Sequence, residues 1–461
     1  MRNIIYLTCV LGLSGCTLNS TNPNYLELAD TQRQRAGQWQ AQKSAIAEQV
    51  EHNLALTQLI ESPELAQLVS LALANNPDLQ QTLIAVQISE SQWQQAHGSR
   101  LPEANLDFNG TKEENSEANY NTSLSISWQL DLWQQLGDLS RAAEQDVEQQ
   151  QRLYQAAQDT LTSNVMIGWL DLISQQATIH IQAKRVKSLA SYESFIVQRY
   201  RNGLGTLEDL ASARTSLASA QATLEAYQES FLQQQRALKA LLGDHNTILP
   251  TLPSALPSVL TPLAELPEQT LARRPDLQAA YAAVAASDLR STAAYKDMLP
   301  KISLQAALND SATTPRDALL TNPLWSLLGN LTAPLYQGGK LRAAAQEAEL
   351  ETARAYQNYR STLLTAVTEV EDALGLEQSL SRQQSHLETA LSNAKNTLEQ
   401  YRKSYRSGLV DMLDLLIVER ETFDLAIELN QINANRLTNR ITLGLALGLA
   451  SEAETKVGEK Q

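Results

Sequence analysis

The sequence predicts a mostly α-helical chain with a small β part, built from a duplicated unit in which long antiparallel coiled-coil hairpins accompany four strands per chain. Three observations predict it. An internal repeat recurs at about 200 residues, one segment alternates apolar and polar residues over thirteen positions, and long proline-free stretches carry apolar residues at heptad spacing.

The chain opens MRNIIYLTCVLGLSGC. Arg2 supplies a positive start and Ile4 to Leu13 an apolar stretch too short to span a bilayer. Leu13-Ser14-Gly15-Cys16 then looks like a bacterial lipobox, which makes residues 1–15 a lipoprotein signal peptide and Cys16 the lipidated mature N-terminus. The alternative is an ordinary signal peptide with a chance cysteine. Thr17, where an aspartate would retain such a protein at the inner membrane, favours the outer one. Residues 16–61 form the N-terminal segment. With only Cys9 and Cys16, the mature body carries no disulfide and no thiolate metal site.

An internal repeat organises the rest of the chain. Asn76-Pro77-Asp78-Leu79-Gln80 recurs as Arg274-Pro275-Asp276-Leu277-Gln278, and Leu101-Pro102 as Leu299-Pro300. Tyr200-Arg-Asn-Gly203-Leu204 matches Tyr405-Arg-Ser-Gly408-Leu409, and Ala240-Leu-Leu-Gly243 matches Leu445-Ala-Leu-Gly448. The order is kept and the offset drifts only from 198 to 205, so residues 62–243 and 263–449 are two copies of one unit. A proline-rich linker, residues 244–262, joins them, and residues 450–461 form a polar tail.

Each copy begins with a short helix (about 63–75 and 263–273) and a longer one opened by Pro77 or Pro275. Two strands follow, at about 101–111 and 120–133, then at about 299–309 and 324–336. Tyr120, Thr122, Leu124, Ile126, Trp128, Leu130 and Leu132 alternate with polar partners; at about 3.3 Å per residue this run tilted at 45° covers about 30 Å of thickness. Half-buried strands of a soluble sheet are the alternative. Four strands are too few for a two-faced sandwich, and too few to close a membrane barrel alone, so several chains must contribute to one barrel.

Long helices are expected at about 137–200 and 206–243, then 339–405 and 411–447. Leu210, Leu217, Leu224, Phe231 and Leu238 fall seven apart, as do Leu380, Leu387, Ala394 and Tyr401, followed by Leu409, Leu416 and Phe423. Such stripes require helices lying along one another, in a solid rod or around a channel alike.

A net charge of −15 argues against nucleic acid as a partner. No HExxH, G-x-S-x-G or Walker loop is present, and the five histidines have no metal spacing, so neither enzymatic activity nor a cofactor is expected. The distinctive segments are two helix turns, Tyr200 to Asp209 and Tyr405 to Asp414. Gly203 and Gly408 suit the left-handed position after a helix, and Asp209, Asp411 and Asp414 the first turn of the next. Capping alone accounts for these residues at one copy per chain.

Lipobox, duplicated halves, two strand hairpins and two long helical hairpins together resemble the TolC-type outer-membrane efflux duct family, in its lipoprotein branch serving resistance-nodulation-division tripartite pumps. Ser62-Pro-Glu-Leu-Ala66, Ser127-Trp-Gln-Leu-Asp-Leu-Trp133 and Ala333-Pro-Leu-Tyr-Gln-Gly-Gly-Lys-Leu-Arg342 carry the likeness, although Thr17 to Arg35 lacks the family's Gly-Pro-Asp-Tyr opening. The resemblance implies a homotrimer completing a 12-stranded barrel and a 12-helix tunnel, located in the outer membrane and working with a periplasmic adaptor and an inner-membrane pump. It implies a periplasmic gate at Asp411, Asp414 and Tyr405 of the Val410-Asp-Met-Leu-Asp414 turn. Arg406 joins by proximity, and Tyr200 and Asp209 are candidates from the first copy. A duct for type I protein secretion and a structural or adaptor lipoprotein with a coiled-coil rod are the rival readings.

Overall fold

The computed structural model describes residues 23–37, 55–60, 62–257 and 271–451. The signal peptide, Cys16, most of the second copy's expected short helix and the tail beyond Ser451 lie outside the described residues. Of that short helix only a 3-10 turn, Leu271–Arg273, is described.

Helix α1 spans Tyr25–Gly37. Helices α2 (Pro63–Asn75) and α3 (Pro77–Gly98) each start on a proline, which gives up an amide with no helical partner. Ser62 Oγ accepts from the Leu65 amide at 3.2 Å and Asn76 Oδ1 from the Leu79 amide at 2.9 Å, capping both. Strands β1 (Glu103–Thr111) and β2 (Asn119–Leu130) follow, then α4 (Gln135–Arg201) and α5 (Leu207–Leu241). The second copy gives α6 (Pro275–Lys296), β3 (Lys301–Ala312), β4 (Leu324–Thr332), α7 (Lys340–Arg406) and α8 (Met412–Ala446). The repeat is metrical as well as sequential: α3 and α6 have 22 residues each, α4 and α7 have 67, and α5 and α8 have 35.

At 1.5 Å per residue α4 and α7 are rods of about 100 Å, and α5 and α8 reach only about half as far. The upper half of each rod is covered by a second helix, antiparallel to the rod and continuing the direction of the short one. Asn76 Nδ2, at the start of α3, donates to Leu241 O at the end of α5 at 3.0 Å. Arg274 Nη1, just before α6, donates to Ala446 O at the end of α8 at 3.0 Å. So α5 with α3, and α8 with α6, are stacked end to end beside continuous neighbours. In the upper half the helices follow the order α3, α4, α6, α7, and near the turns the order α5, α4, α8, α7.

The strands form one antiparallel sheet in the order β1-β2-β3-β4. Register sorts its two faces. Leu106, Leu124, Leu308 and Trp325 form one cross-strand row, and Ala104, Ile126, Ala306 and Leu327 the next, so one face is apolar along these rows, with Thr122 and Asp310 as a polar pair in the row of Phe108 at its loop end. The other carries Asn105, Ser125, Ala307 and Ser326 in one row and Asp107, Ser123, Asn309 and Leu324 in another; Ala307, Leu324 and Leu328 interrupt its polarity. Phe108 stacks on Tyr120 at 6.2 Å near the loop end of the apolar face, and Trp128 lies near the helix end, where its indole N–H donates to Arg100 O at 3.0 Å.

Two strands stop short of their expected ends. β2 ends at Leu130 instead of continuing to Trp133, because the Asp131 carboxylate turns to accept the Leu136 and Gly137 amides at 3.0 and 2.7 Å. β4 ends at Thr332 instead of 336, since Pro334 has no amide to donate and Gly338 and Gly339 take positive φ of 61° and 85°.

Three apolar cores space out along the molecule. One gathers Leu65, Leu68, Met166, Trp169, Leu170 and Ile441 where α2, α4 and α8 meet. The segments before α2 and after α8 fasten here: the Leu56 amide donates to Ala450 O at 2.8 Å, and the Ser451 amide to Asp159 at 2.7 Å. A second core holds Ala29 of α1 against Tyr356, Tyr359 and Val284, with Tyr281 Oη donating to Asp30 at 2.6 Å and the Arg33 guanidinium over the Tyr281 ring. The third closes the turn end, where Leu189, Ile196, Leu210, Leu398, Met412 and Leu415 interdigitate. The heptad of α5 seats Leu210 and Leu238 as buried residues. On α7 the heptad seats Leu380 as a buried residue, but nearer the turn the deeper row is Leu391 and Leu398, between the heptad positions Leu387, Ala394 and Tyr401. Leu409 is no seam residue: it sits in the turn, 78% exposed.

Candidate functional site

The turn end brings the two copies together. Both hairpins reverse by the same local chemistry. After α4 the Gly203 amide donates to Tyr200 O at 3.0 Å and the Leu204 amide to Arg199 O at 2.9 Å; after α7 Gly408 and Leu409 repeat this onto Tyr405 and Ser404 at 3.0 and 2.9 Å. This six-to-one closure needs a left-handed residue, and both glycines take φ of +74°.

The next helices begin differently. Thr206 caps α5 and exchanges bonds with Asp209, whose carboxylate accepts the Thr206 amide at 3.2 Å while Thr206 Oγ1 accepts the Asp209 amide at 3.0 Å. In the second copy Asp411 is itself the N-cap, not a first-turn residue, since an extended residue there lets its Oδ1 accept the Asp414 amide at 2.9 Å. Asp414 stands in the first turn of α8, exposed. Asp209 and Asp411 thus both serve as helix-start acceptors within the chain.

Tyr405 is half-buried and meets Phe195 edge-on at 6.1 Å, so the last turns of α4 and α7 are in contact. Burial pushes its hydroxyl above the usual range, with Arg199 opposing and Asp209 reinforcing the shift, which places Tyr405 within the field of the first copy's turn. Arg406 is exposed in the last turn of α7, and Tyr200 is 42% exposed on the end of α4. Among the expected residues, then, Tyr405 meets the first copy through Phe195, Asp209 is engaged with Thr206 in its own turn, and Tyr200 and Arg406 are exposed. Cys16 lies outside the described residues.

One buried cluster is announced by none of the sequence motifs. Glu419 of α8, 1% exposed, accepts a hydrogen bond from Ser188 Oγ of α4 and faces Arg402 Nη2 of α7 at 3.2 Å. Arg402 also donates to Tyr192 Oη of α4 at 3.0 Å and to Glu399 at 2.9 Å. A signal was available all the same: Met412, Leu415 and Leu416 set the buried stripe of α8, and Glu419 falls on its next position, where a carboxylate is out of place. Among the described residues no group of three or more His, Cys, Asp or Glu is arranged to hold a metal ion, and no helix is long and apolar enough to cross a membrane.

Comparison with known proteins places this geometry in context. A family model described as outer membrane efflux protein matches residues 68–244 and 266–449. The cation efflux system protein CusC of Escherichia coli (strain K12) is 28% identical over 392 residues, 83% of this chain and 85% of that protein. The pyoverdine export outer membrane protein OpmQ of Pseudomonas putida (strain KT2440) is 26% identical over 412 residues, 86% of this chain and 87% of that protein. A solved structure of CusC superposes with a TM-score of 0.79 at 25% identity, covering 89% of this chain and 99% of that one.

Proposed function

Since the chain belongs to the outer membrane efflux protein family, we propose that it is the exit duct of a tripartite efflux system, fixed in the outer membrane and reaching through the periplasm. The single observation that carries the reading is the sheet. Its one apolar face is bounded by Phe108 and Tyr120 at one end and Trp128 at the other, eight residues from Tyr120 along β2. That is about 26 Å of strand, and about 20 Å of height at a 40° tilt, the scale of a lipid-facing band with its aromatic girdles.

Four strands leave β1 and β4 as open edges, which lipid does not tolerate. Three copies would supply twelve strands, and a homotrimer joins β4 of one subunit to β1 of the next. The helices support the same closure. Ile84 and Ile88 stand exposed on α3 at one edge of the helix layer, and Leu350 and Leu364 on α7 at the other. Complementary edges on one chain make a ring. The polar sheet face then lines the pore. Transport is passive, with energy supplied by an inner-membrane pump through a periplasmic adaptor; the chain is no enzyme and needs no cofactor.

Cys16 carries the lipid anchor in this reading. Pro23, the first described residue, lies seven positions beyond it, about 24 Å of extended chain. Tyr25 of α1 contacts Tyr356, sixteen residues into α7 and so about 24 Å below the sheet end of that helix. The tether is long enough to reach the membrane edge.

The two turns form the periplasmic gate. Threefold symmetry would gather the Asp411 and Asp414 carboxylates of three chains at one aperture, attracting cations, with Tyr405 holding the hairpins together and Asp209, Arg406 and Tyr200 flanking. The relatives' cargoes, cations for one and pyoverdine for another, differ too much to assign a substrate. Single-channel conductance in a planar bilayer tests the duct and the gate together, comparing the wild type with an Asp411→Asn/Asp414→Asn double variant. Asparagine keeps the N-cap while removing charge. Small cation-selective openings that grow and lose selectivity in the variant are expected. Unchanged conductance would reduce both aspartates to caps, and no conductance from well-folded protein would remove the duct.

A further inference from the structure

Glu419 sits about one and a half turns above Asp414, at the seam where the second hairpin meets α4. Two polar bonds cross that seam through its cluster: Ser188 Oγ to Glu419, and Arg402 to Tyr192 Oη. Ser188 and Tyr192 are one turn apart on α4, and Arg185, a further turn back on that face, donates to Asp424 of α8 at 3.1 Å. The corresponding place in the first copy, 205 residues earlier, holds Arg214, whose partner Glu193 is 3.2 Å away and whose side chain is 61% exposed. At this place, a buried carboxylate stands in the second hairpin and an exposed arginine in the first.

Its charge is poorly compensated. Glu419 Oε1 takes both hydrogen bonds, and Oε2 is buried with no donor. Arg402 divides its charge between Glu419 and Glu399, while Arg185 is committed to Asp424. Two guanidinium groups thus face three carboxylates. Arg420, the other charged residue beside the cleft, is exposed to solvent, and α5 presents Thr215, Ser216, Ser219, Ala220 and Thr223 there, none of them charged. Burying a charge with an unfilled oxygen is costly, whereas a neutral carboxyl keeps its carbonyl oxygen for Ser188 and places the proton on Oε2.

We propose that Glu419 is a proton-dependent latch of the turn end, closing the seam between α8 and α4 when neutral and loosening it when ionised. The proposal rests on the reading of these turns as a gate, and it gives that gate a pH response. The sign follows from linkage. Burial, outweighing Ser188 and Arg402, raises the carboxyl above its ordinary range while the seam is closed. A group whose affinity for protons is higher in the closed state favours closure at low pH, and closure weakens as pH rises through that value.

Spin labels on Leu204→Cys and Leu409→Cys, both exposed turn residues, report the separation of the hairpins whether or not the protein conducts. The native cysteines Cys9 and Cys16 lie far off in sequence, and in the proposed duct Cys16 is taken up by lipid. In the full-length protein the label distance is expected to lengthen as the pH is raised from acid to alkaline, with a roughly five- to tenfold change in the ratio of long to short separations. Glu419→Gln, an isosteric neutral side chain, is expected to stay short at every pH. Ser188→Ala, which removes only the donor from α4, is expected to lengthen the distance at acid pH. A distance that lengthens on acidification, no response in the wild type, or a Glu419→Gln protein that titrates like the wild type would each overturn the latch. Conductance of the same preparations reads the duct separately: a latch that moves without changing conductance leaves the proton response standing and removes the gate.

Discussion

At the scale of single residues, four glycines with nearly the same backbone do different work. Gly203 and Gly408 take φ of +74° in open space, so an added methyl meets strain alone. Gly243 takes φ of +78° with Asn75 O only 2.3 Å from where a Cβ would stand, and Gly448 takes φ of +77° against Arg274. Gly408→Ala is therefore expected to cost about 1–2 kcal/mol, and Gly243→Ala clearly more, because backbone must also move. Thermal unfolding of the two variants side by side checks the order. The turn glycines and the carboxylates after them were legible in the sequence, since capping is local chemistry. What was not legible is which carboxylate does what: Asp411 as N-cap and Asp209 as partner of Thr206 depend on where the helices begin. Glu419 was missed for a different reason. Its meaning lies in Ser188, Tyr192 and Arg402, more than 200 residues away in sequence or on another helix, and no periodicity links them.

Among the elements, the strands follow their sequence most closely. Strict alternation from Tyr120 to Leu130 is what the register displays, and the weaker runs of β1, β3 and β4 take their faces from pairing with it. Leu327→Arg, on the apolar face, is expected to cost about 2–4 kcal/mol in a bilayer, and Ser326→Arg one residue away to cost little. Unfolding in lipid vesicles, followed by the gel mobility of folded barrel, measures the contrast; equal costs would remove the assignment of faces. The strand ends were misjudged where a side chain or proline diverts the backbone, at Asp131 and Pro334. Long helices were readable from missing proline and heptad leucines. Their pairing was not, since Leu391 and Leu398 are buried beside the seven-residue row that the sequence suggests, and the seam depends on the neighbour.

For the whole molecule, duplication was visible in four short motifs, and the equal lengths of paired helices give it physical form. Assembly was legible only as a deficit, four strands where a barrel needs at least eight. In the proposed trimer, exposed Ile84 and Ile88 mark one edge of the join. An Ile84→Asp/Ile88→Asp variant is expected to migrate as monomer in a heat-modifiability gel while the wild type migrates at three times that mass; a persistent trimer would place the contact elsewhere. The end-to-end meeting of α5 with α3 and of α8 with α6 has a mechanical consequence. Each unbroken 67-residue shaft lies beside a strut cut at mid-height, and both cuts are hinged on a left-handed glycine, Gly243 or Gly448. Twist applied at the turn end meets its greatest compliance at these two couplings, which share one level along the axis. The lower struts α5 and α8 can pivot there while the unbroken shafts and the sheet above keep their register.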